Sequence, residues 1–362
     1  MKNFLVIILA IAISIGTSNA QSDWVREDYI TGFLSSGYFP IRKFEATGQP
    51  MPLPKKVQID QEIVNRVNAV FDSTSTNLAV LMIDKGQIVL EKYKDGLDEK
   101  NRFFSYSMSK SLTAYTLGYA LCSGSIRSLD DKAGQYAPEI AQSVFGQATI
   151  RELLMMSSGA RPPDQETGSA NGEWNNVTRG FWSSAHVLNG YGSEIYRAKD
   201  FVYNNSNTNA LMLAVDGVAN LGDLFETKLW QPSKPEASST WLKDKDNHLY
   251  AAAGFGATLR DWGRLAMRTI RMLKGDDGKC IANYMAQATT IQTQDLYKKA
   301  FFKYGYQTWI NPYKAQYVWL GAYGQSTTVD PKSEKIMIVF RNQLNMDNSR
   351  TFGRIYFDWT NN

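Results

Sequence analysis

The stretch Phe103-Phe104-Ser105-Tyr106-Ser107-Met108-Ser109-Lys110-Ser111-Leu112-Thr113 decides how the rest of the chain is read. It holds Ser107 and Lys110 in an S-x-x-K spacing, at the head of a segment that continues through Leu112, Tyr115, Leu117, Tyr119, Ala120 and Leu121. That continuation is apolar almost all round, which predicts a buried helix. Residues three apart share a helical face, so the Ser107 hydroxyl and the Lys110 amine are within reach of each other. A serine at a helix N-terminus has free backbone N–H groups beside it, which favour developing negative charge. A lysine desolvated there can lose its proton and act as a base. Spacing alone is a weak signal: a chain this rich in Ser and Lys shows S-x-x-K about once by chance. Taken singly, Ser107 is also a plain helix cap, but Lys110 lies in an otherwise apolar helix, where a buried lysine needs a reason.

With 362 residues, 43% hydrophobic and 20% charged, the chain is long enough for one large domain or two closely packed ones. The net charge of +4 comes from interspersed acids and bases, with no basic run to argue for nucleic acid. The first twenty residues differ. Lys2, the apolar run Phe4–Ile13 and Ser18-Asn19-Ala20 form a charged region, a short hydrophobic core and a small-residue cleavage site. This predicts a secretory signal cut after Ala20 and a soluble periplasmic or secreted protein without stable membrane insertion. A membrane anchor is the other reading, but the run is short for a spanning helix. Cys122 and Cys280 are the only cysteines, and they fit one disulfide or two buried thiols equally. With His186 and His248 alone and no H-E-x-x-H spacing, no zinc site is expected. No G-x-S-x-G elbow occurs, so an α/β-hydrolase has little support. Both histidines are read as structural or exposed.

Residues 21–57, with Pro40, Pro50, Pro52 and Pro54, are expected to form an irregular arm. Asp60 opens a helix carrying Ile63, Val64, Val67 and Phe71 on one face. Leu78–Ile83 and Gln87–Tyr93 are strands joined by a turn at Asp84-Lys85-Gly86. Thr149-Ile150-Arg151-Glu152 is a capping box. Residues 160–200 lack periodicity, as site-lining loops do. The apolar helix Ala210–Val215 follows Tyr203, and Thr258 caps another helix from Trp262. Segments Tyr304–Trp309, Tyr317–Gly321 and Lys335–Phe340 predict an antiparallel meander. The expected class is α/β (α+β): an antiparallel sheet built from both chain ends, flanked by helices, with a mostly helical insertion. The expected division is 58–145 with 250–362 for the sheet domain and 146–249 for the insertion.

Three pieces then stand in an order that resembles the serine β-lactamase and penicillin-binding-protein superfamily, nearest its class C-like branch of esterases and 6-aminohexanoate-dimer hydrolases. They are Ser107-Met108-Ser109-Lys110, then Tyr203-Asn204-Asn205, then Trp319-Leu320-Gly321-Ala322-Tyr323-Gly324-Gln325. Each motif is weak alone; the ordered set, over roughly residues 60–340, is strong. The resemblance implies that Ser107 is the nucleophile and that Lys110 and Tyr203 share the proton work. It also implies an oxyanion hole from the backbone N–H groups of Ser107 and Ala322. Asn205, Trp319, Gly321, Tyr323 and Gln325 become candidate substrate contacts, and no metal or cofactor is implied. Physically, acyl transfer needs such a nucleophile, base, proton donor and oxyanion site, and a tyrosine of pKa about 10 needs a neighbouring ammonium to serve as a base.

The third motif departs from the family pattern. Trp319 stands where the family has a lysine that helps bind the carboxylate of β-lactams and D-Ala-D-Ala peptides, and tryptophan carries no charge. The expectation is therefore an exported serine hydrolase acting on a small-molecule ester or amide through an acyl-serine. A β-lactamase or D-Ala-D-Ala carboxypeptidase is the alternative, and a non-catalytic sensor or scaffold of the same fold a further one. Oligomeric state is not encoded in any of these features.

Overall fold

An eight-residue strand, β4 (Asn77–Asp84), is buried along its whole length and lies one strand in from the edge of the larger, seven-stranded sheet. Its unbroken apolar run follows from that position, because both of its faces are covered. The computed structural model describes residues 24–25, 29–30, 39–160, 176–191, 200–293, 302–343 and 345–361. The expected signal segment 1–20 lies outside them, as do 161–175 and 192–199 of the expected site-lining loops. Among the described residues, no helix is long and apolar enough to cross a membrane.

β4 pairs on one side with β5 (Gln87–Tyr93) and on the other with β13 (Lys335–Arg341). The sheet then continues antiparallel through β12 (Gln325–Asp330), β11 (Gln316–Gly321), β10 (Trp309–Asn311) and β9 (Lys303–Tyr304). It is thus one antiparallel sheet assembled from both ends of the chain, flanked by helices, as expected. Alternation sorts its side chains. Leu81, Ile83, Ile336, Ile338 and Phe340 face the main core. Val80, Met82, Met337 and Val339 face α1 (Gln61–Asp72) and a C-terminal helix, Met346–Asn361.

That C-terminal helix follows the expected meander and was not itself anticipated. Its Phe352, Ile355, Tyr356 and Trp359 recur at helical spacing and bury against the sheet. The segment Tyr304–Trp309 is also not one strand. Gln307 breaks it at a φ of 51°, and its amide takes the Thr208 hydroxyl and donates to the Leu153 carbonyl.

A second sheet was not anticipated. Its strand order is β1 (Trp24–Val25), β3 (Phe39–Phe44), β7 (Ser239–Leu242), β8 (Phe255–Thr258), β6 (Arg102–Phe104) and β2 (Tyr29–Ile30). Part of the expected irregular arm is therefore the strand β3, with Phe39, Ile41 and Phe44 buried at alternate or near-alternate positions. The local helix signals hold: the Asp60 side chain caps α1, and Thr149 and Glu152 complete a capping box at α3 (Ile150–Leu154). α2 (Ser109–Cys122) is buried over nearly all its length, and Cys122 at its end is disulfide-bonded to Cys280 on α6 (Lys279–Ala288). Between α2 and α6 in the chain lie α4 (Asn205–Asp216) and α5 (Leu259–Lys274); the helix Met346–Asn361 is α7.

Candidate active site

β6 delivers the chain into a single 3-10 turn, Tyr106–Met108, which runs directly into α2. The turn is clamped to β8: Ser105 N–H donates to the Phe255 carbonyl at 2.7 Å, and the hydroxyls of Ser105 and Ser109 both accept from Phe255 N–H at 3.2 Å. Tyr106 is held at a φ of 44°, a conformation that costs an ordinary residue energy and is kept by its surroundings. Ser107 is consequently presented half-exposed at the head of the helix, while Lys110, one turn on, is 1% exposed.

Lys110 Nζ donates to Ser107 Oγ at 2.8 Å and to the Ala252 carbonyl at 2.7 Å. The Tyr203 hydroxyl is directed at the same Ser107, and Lys110 Nζ lies 5.2 Å from the centre of the Tyr203 ring. Burial pushes the Tyr203 phenol up to about 12, and its bond to Ser107 acts against that rise. At neutral pH Tyr203 is therefore a proton donor. Ser107, Lys110 and Tyr203 converge on one hydroxyl, from α2 and from the residue two before α4.

The wall opposite is the β11–β12 hairpin, whose turn Ala322–Gly324 has Tyr323 at φ 63° and Gly324 at φ 87°. Gly321 is fixed by contact: a Cβ there would lie 2.5 Å from the Ser105 carbonyl oxygen. Only glycine lets the hairpin approach the nucleophile turn so closely. The Tyr323 ring packs on Tyr106 at 5.1 Å, and Ala322 is exposed.

Other expected contacts are placed elsewhere. Trp319 is fully buried, its indole N–H donating to the Tyr115 hydroxyl at 3.0 Å, so it packs in the core and does not face Ser107. Gln325 is also buried; its amide bonds both the carbonyl and the N–H of Arg341 and so locks β12 to β13. Asn205 is exposed at the start of α4, and Asn204 is the residue that caps this helix. Of the tryptophans in the stretch 160–200, Trp182 packs in a side cluster with Tyr323, while Trp174 is outside the described residues.

Two contributors were missed. Trp309, not Trp319, is the tryptophan beside the site: it stacks on Tyr203 with ring centres 5.7 Å apart. Asn209 accepts from Ala252 N–H at 3.1 Å and so fixes the carbonyl that holds Lys110. The signal for Asn209 was a buried amide in an apolar helix, which asks for partners.

The fold thus sets a serine hydroxyl, hydrogen-bonded by a buried lysine, in a turn beside an antiparallel sheet flanked by helices. The chain belongs to the beta-lactamase family of hydrolases, whose model matches residues 67–356. Among curated relatives, the 6-aminohexanoate-dimer hydrolase of Paenarthrobacter ureafaciens is 22% identical over 72% of this chain and 71% of that protein. Among solved structures, a Bacillus anthracis protein provisionally assigned as a 6-aminohexanoate-dimer hydrolase is similar, with a TM-score of 0.75 at 20% identity over 88% of this chain and 90% of that one. A penicillin-binding protein from Bacillus halodurans is similar at a TM-score of 0.63 and 18% identity, covering 80% of this chain and 98% of that one.

Proposed function

We propose that this protein is an exported serine hydrolase that cleaves small esters or linear amides through an acyl-serine on Ser107. The observation that carries the reading is the hydrogen bond from Lys110 Nζ to Ser107 Oγ at 2.8 Å, with the Tyr203 ring 5.2 Å from the same Nζ. Ser107 Oγ attacks the substrate carbonyl carbon while its proton passes to the Lys110 amine, which acts unprotonated as the base. The oxyanion that forms is met by the backbone N–H groups of Ser107 and Ala322. As the carbon–heteroatom bond breaks, Tyr203 returns a proton to the departing alkoxide or amine. Water, deprotonated by the same amine, then releases the acid and frees Ser107. To Asn205, Gly321 and Tyr323 this reading assigns contact with the substrate.

Similarity to 6-aminohexanoate-dimer hydrolases supports linear amides as substrates. β11 reads Gln-Tyr-Val-Trp-Leu-Gly and carries no cation for the carboxylate of a β-lactam. Export is supported by the residues at 1–20 and by the Cys122–Cys280 disulfide, which persists in oxidising compartments.

The test is hydrolysis of a p-nitrophenyl short-chain ester with labelling by a fluorophosphonate. Wild type is expected to turn over and to label; Ser107→Ala is expected to lose about 10⁴-fold or more in rate and all labelling. Undiminished turnover by Ser107→Ala would sink the assignment. Rapid nitrocefin turnover would overturn the substrate class alone.

A further inference from the structure

On the side of the β11–β12 hairpin turn lined by α7 there is a second cavity, of about 1110 Å³, between the outer face of β11–β13 and α7. It is just above the range of about 300–1,000 Å³ typical of small-molecule sites. Val318, Leu320, Met337, Val339, Phe352 and Tyr356 make its walls apolar. Arg341, at the end of β13, lines the same cavity and is 1% exposed.

Its guanidinium is incompletely satisfied. Nη1 donates to the Asn345 carbonyl and the Ser349 hydroxyl, and the cation lies 5.1 Å from the Phe352 ring centre. Nε meets no acceptor, and among the described residues no carboxylate forms an ion pair with it. The acids nearby are committed: Asp358 pairs with Arg66 at 2.6 Å, and Asp347 with Arg350 at 3.6 Å. Burial pulls Arg341 down to about 10, so it remains a cation at neutral pH. A buried cation without a counter-ion is costly, and such groups are kept where something compensates them. The other deeply buried arginines here have their carboxylates, Arg264 with Asp261 and Glu236, and Arg268 with Asp277.

We propose that this cavity binds a long-chain monocarboxylate, its carboxylate on Arg341 and its alkyl chain along the apolar wall of β11–β13 and α7. Arg350 and Arg354 line the cavity only from its exposed side, so the one buried cation, set beside apolar walls, suits one anionic head on a hydrocarbon tail. The site is separate from the Ser107 hydroxyl, although the two share the turn Ala322–Gly324, and a Cβ on Gly324 would lie 3.0 Å from Arg341 Nη1.

Calorimetric titration of the purified protein with dodecanoate, dodecanol and dodecyltrimethylammonium tests the assignment. Dodecanoate is expected to bind at one site, at least about tenfold more tightly than either of the others. Arg341→Met should abolish that preference, Val318→Trp should fill the slot and remove dodecanoate binding, and Ser107→Ala should bind as wild type does. If Arg341→Met does not fold, the head-group comparison and Val318→Trp decide alone. Equal affinity for dodecanol, or dodecanoate binding undiminished by Val318→Trp, would overturn the proposal. Because none of these readouts is hydrolysis, they stand or fall apart from the acyl-serine mechanism.

Discussion

Lys110 on α2 and Arg264 on α5 are almost equally buried, at 1% and 3% exposed, yet their surroundings are unlike. Arg264 sits between two carboxylates, Asp261 at 2.8 Å and Glu236 at 2.9 Å, and also donates to the Met51 carbonyl. Asp261 in turn accepts from Glu236 N–H and Ala237 N–H. Lys110 meets a hydroxyl, a carbonyl and the face of an aromatic ring. A compensated cation of the first kind fastens α5 to the segment before β7. The second kind leaves an amine near a nucleophile, where a proton can move. Burial is common to both, and the partners distinguish architecture from chemistry.

That contrast is most directly broken by exchanging each basic side chain for methionine. Lys110→Met should lower kcat/KM by about 10²–10⁴-fold while unfolding changes less than in the arginine variant, since the hydroxyl and carbonyl that Lys110 bonds are uncharged. Arg264→Met should do the reverse. It strands Asp261 and Glu236 and should cost about 3–5 kcal/mol of stability, with the rate per folded molecule nearly unchanged. Urea unfolding and active-site-normalised kinetics on both variants check the pair. A Lys110→Met protein that is destabilised but active would place Lys110 with Arg264.

A smaller effect sharpens the hairpin side of the site. Trp319 occupies the motif position where a substrate-binding lysine was the family expectation, but its indole points at Tyr115. Trp319→Phe should cost about 1–3 kcal/mol, through a lost hydrogen bond and a small cavity, and leave kcat/KM within about threefold. A selective rise in KM would restore Trp319 to the substrate pocket.

The Trp319 outcome also shows what a linear motif carries. It located β11 and its turn, because Gly321 and the residues after it must be what they are to approach Ser105. Which face a strand residue takes is set by pairing register, and the pleat sends Trp319 to the same side as Tyr317, into the core. The central elements were legible for local reasons: β4 is apolar throughout, and Asp60, Thr149 and Thr258 cap helices with their own side chains. Ser107, Lys110 and Tyr203 were legible because the chemistry demands those side chains. The link from Asn209 through the Ala252 backbone to Lys110 was not, since a carbonyl 142 residues from its lysine leaves no trace in sequence. The small sheet was hidden for a related reason. Its β6–β8 and β3–β7 pairings join segments far apart in the chain, and its strands are short.

The His248–Asp216 pair is a third kind of buried-charge contact, intermediate between the two basic side chains compared above. Nδ1 of His248 lies 2.6 Å from Asp216 Oδ2, with the histidine side chain 31% exposed. The bond to Asp216 at the end of α4 raises the imidazole pKa above its ordinary 6.5, against the desolvation that lowers it, and Asp244 and Glu139 add to the rise. Because the folded pKa is the higher one, the protonated pair stabilises the fold fully below 6.5. That contribution fades as pH climbs from there through the folded value. Half-exposed and screened, it should amount to about 0.5–1 kcal/mol. Urea unfolding at about pH 5.5 and about pH 8.5 should show wild type losing that much more than His248→Gln does, with ester hydrolysis the same in both proteins at either pH. A His248→Gln protein with the wild-type pH slope would mean that the pair carries no net stability. A change in its rate would connect the end of α4 to Tyr203, and so join the structural charges to the catalytic ones.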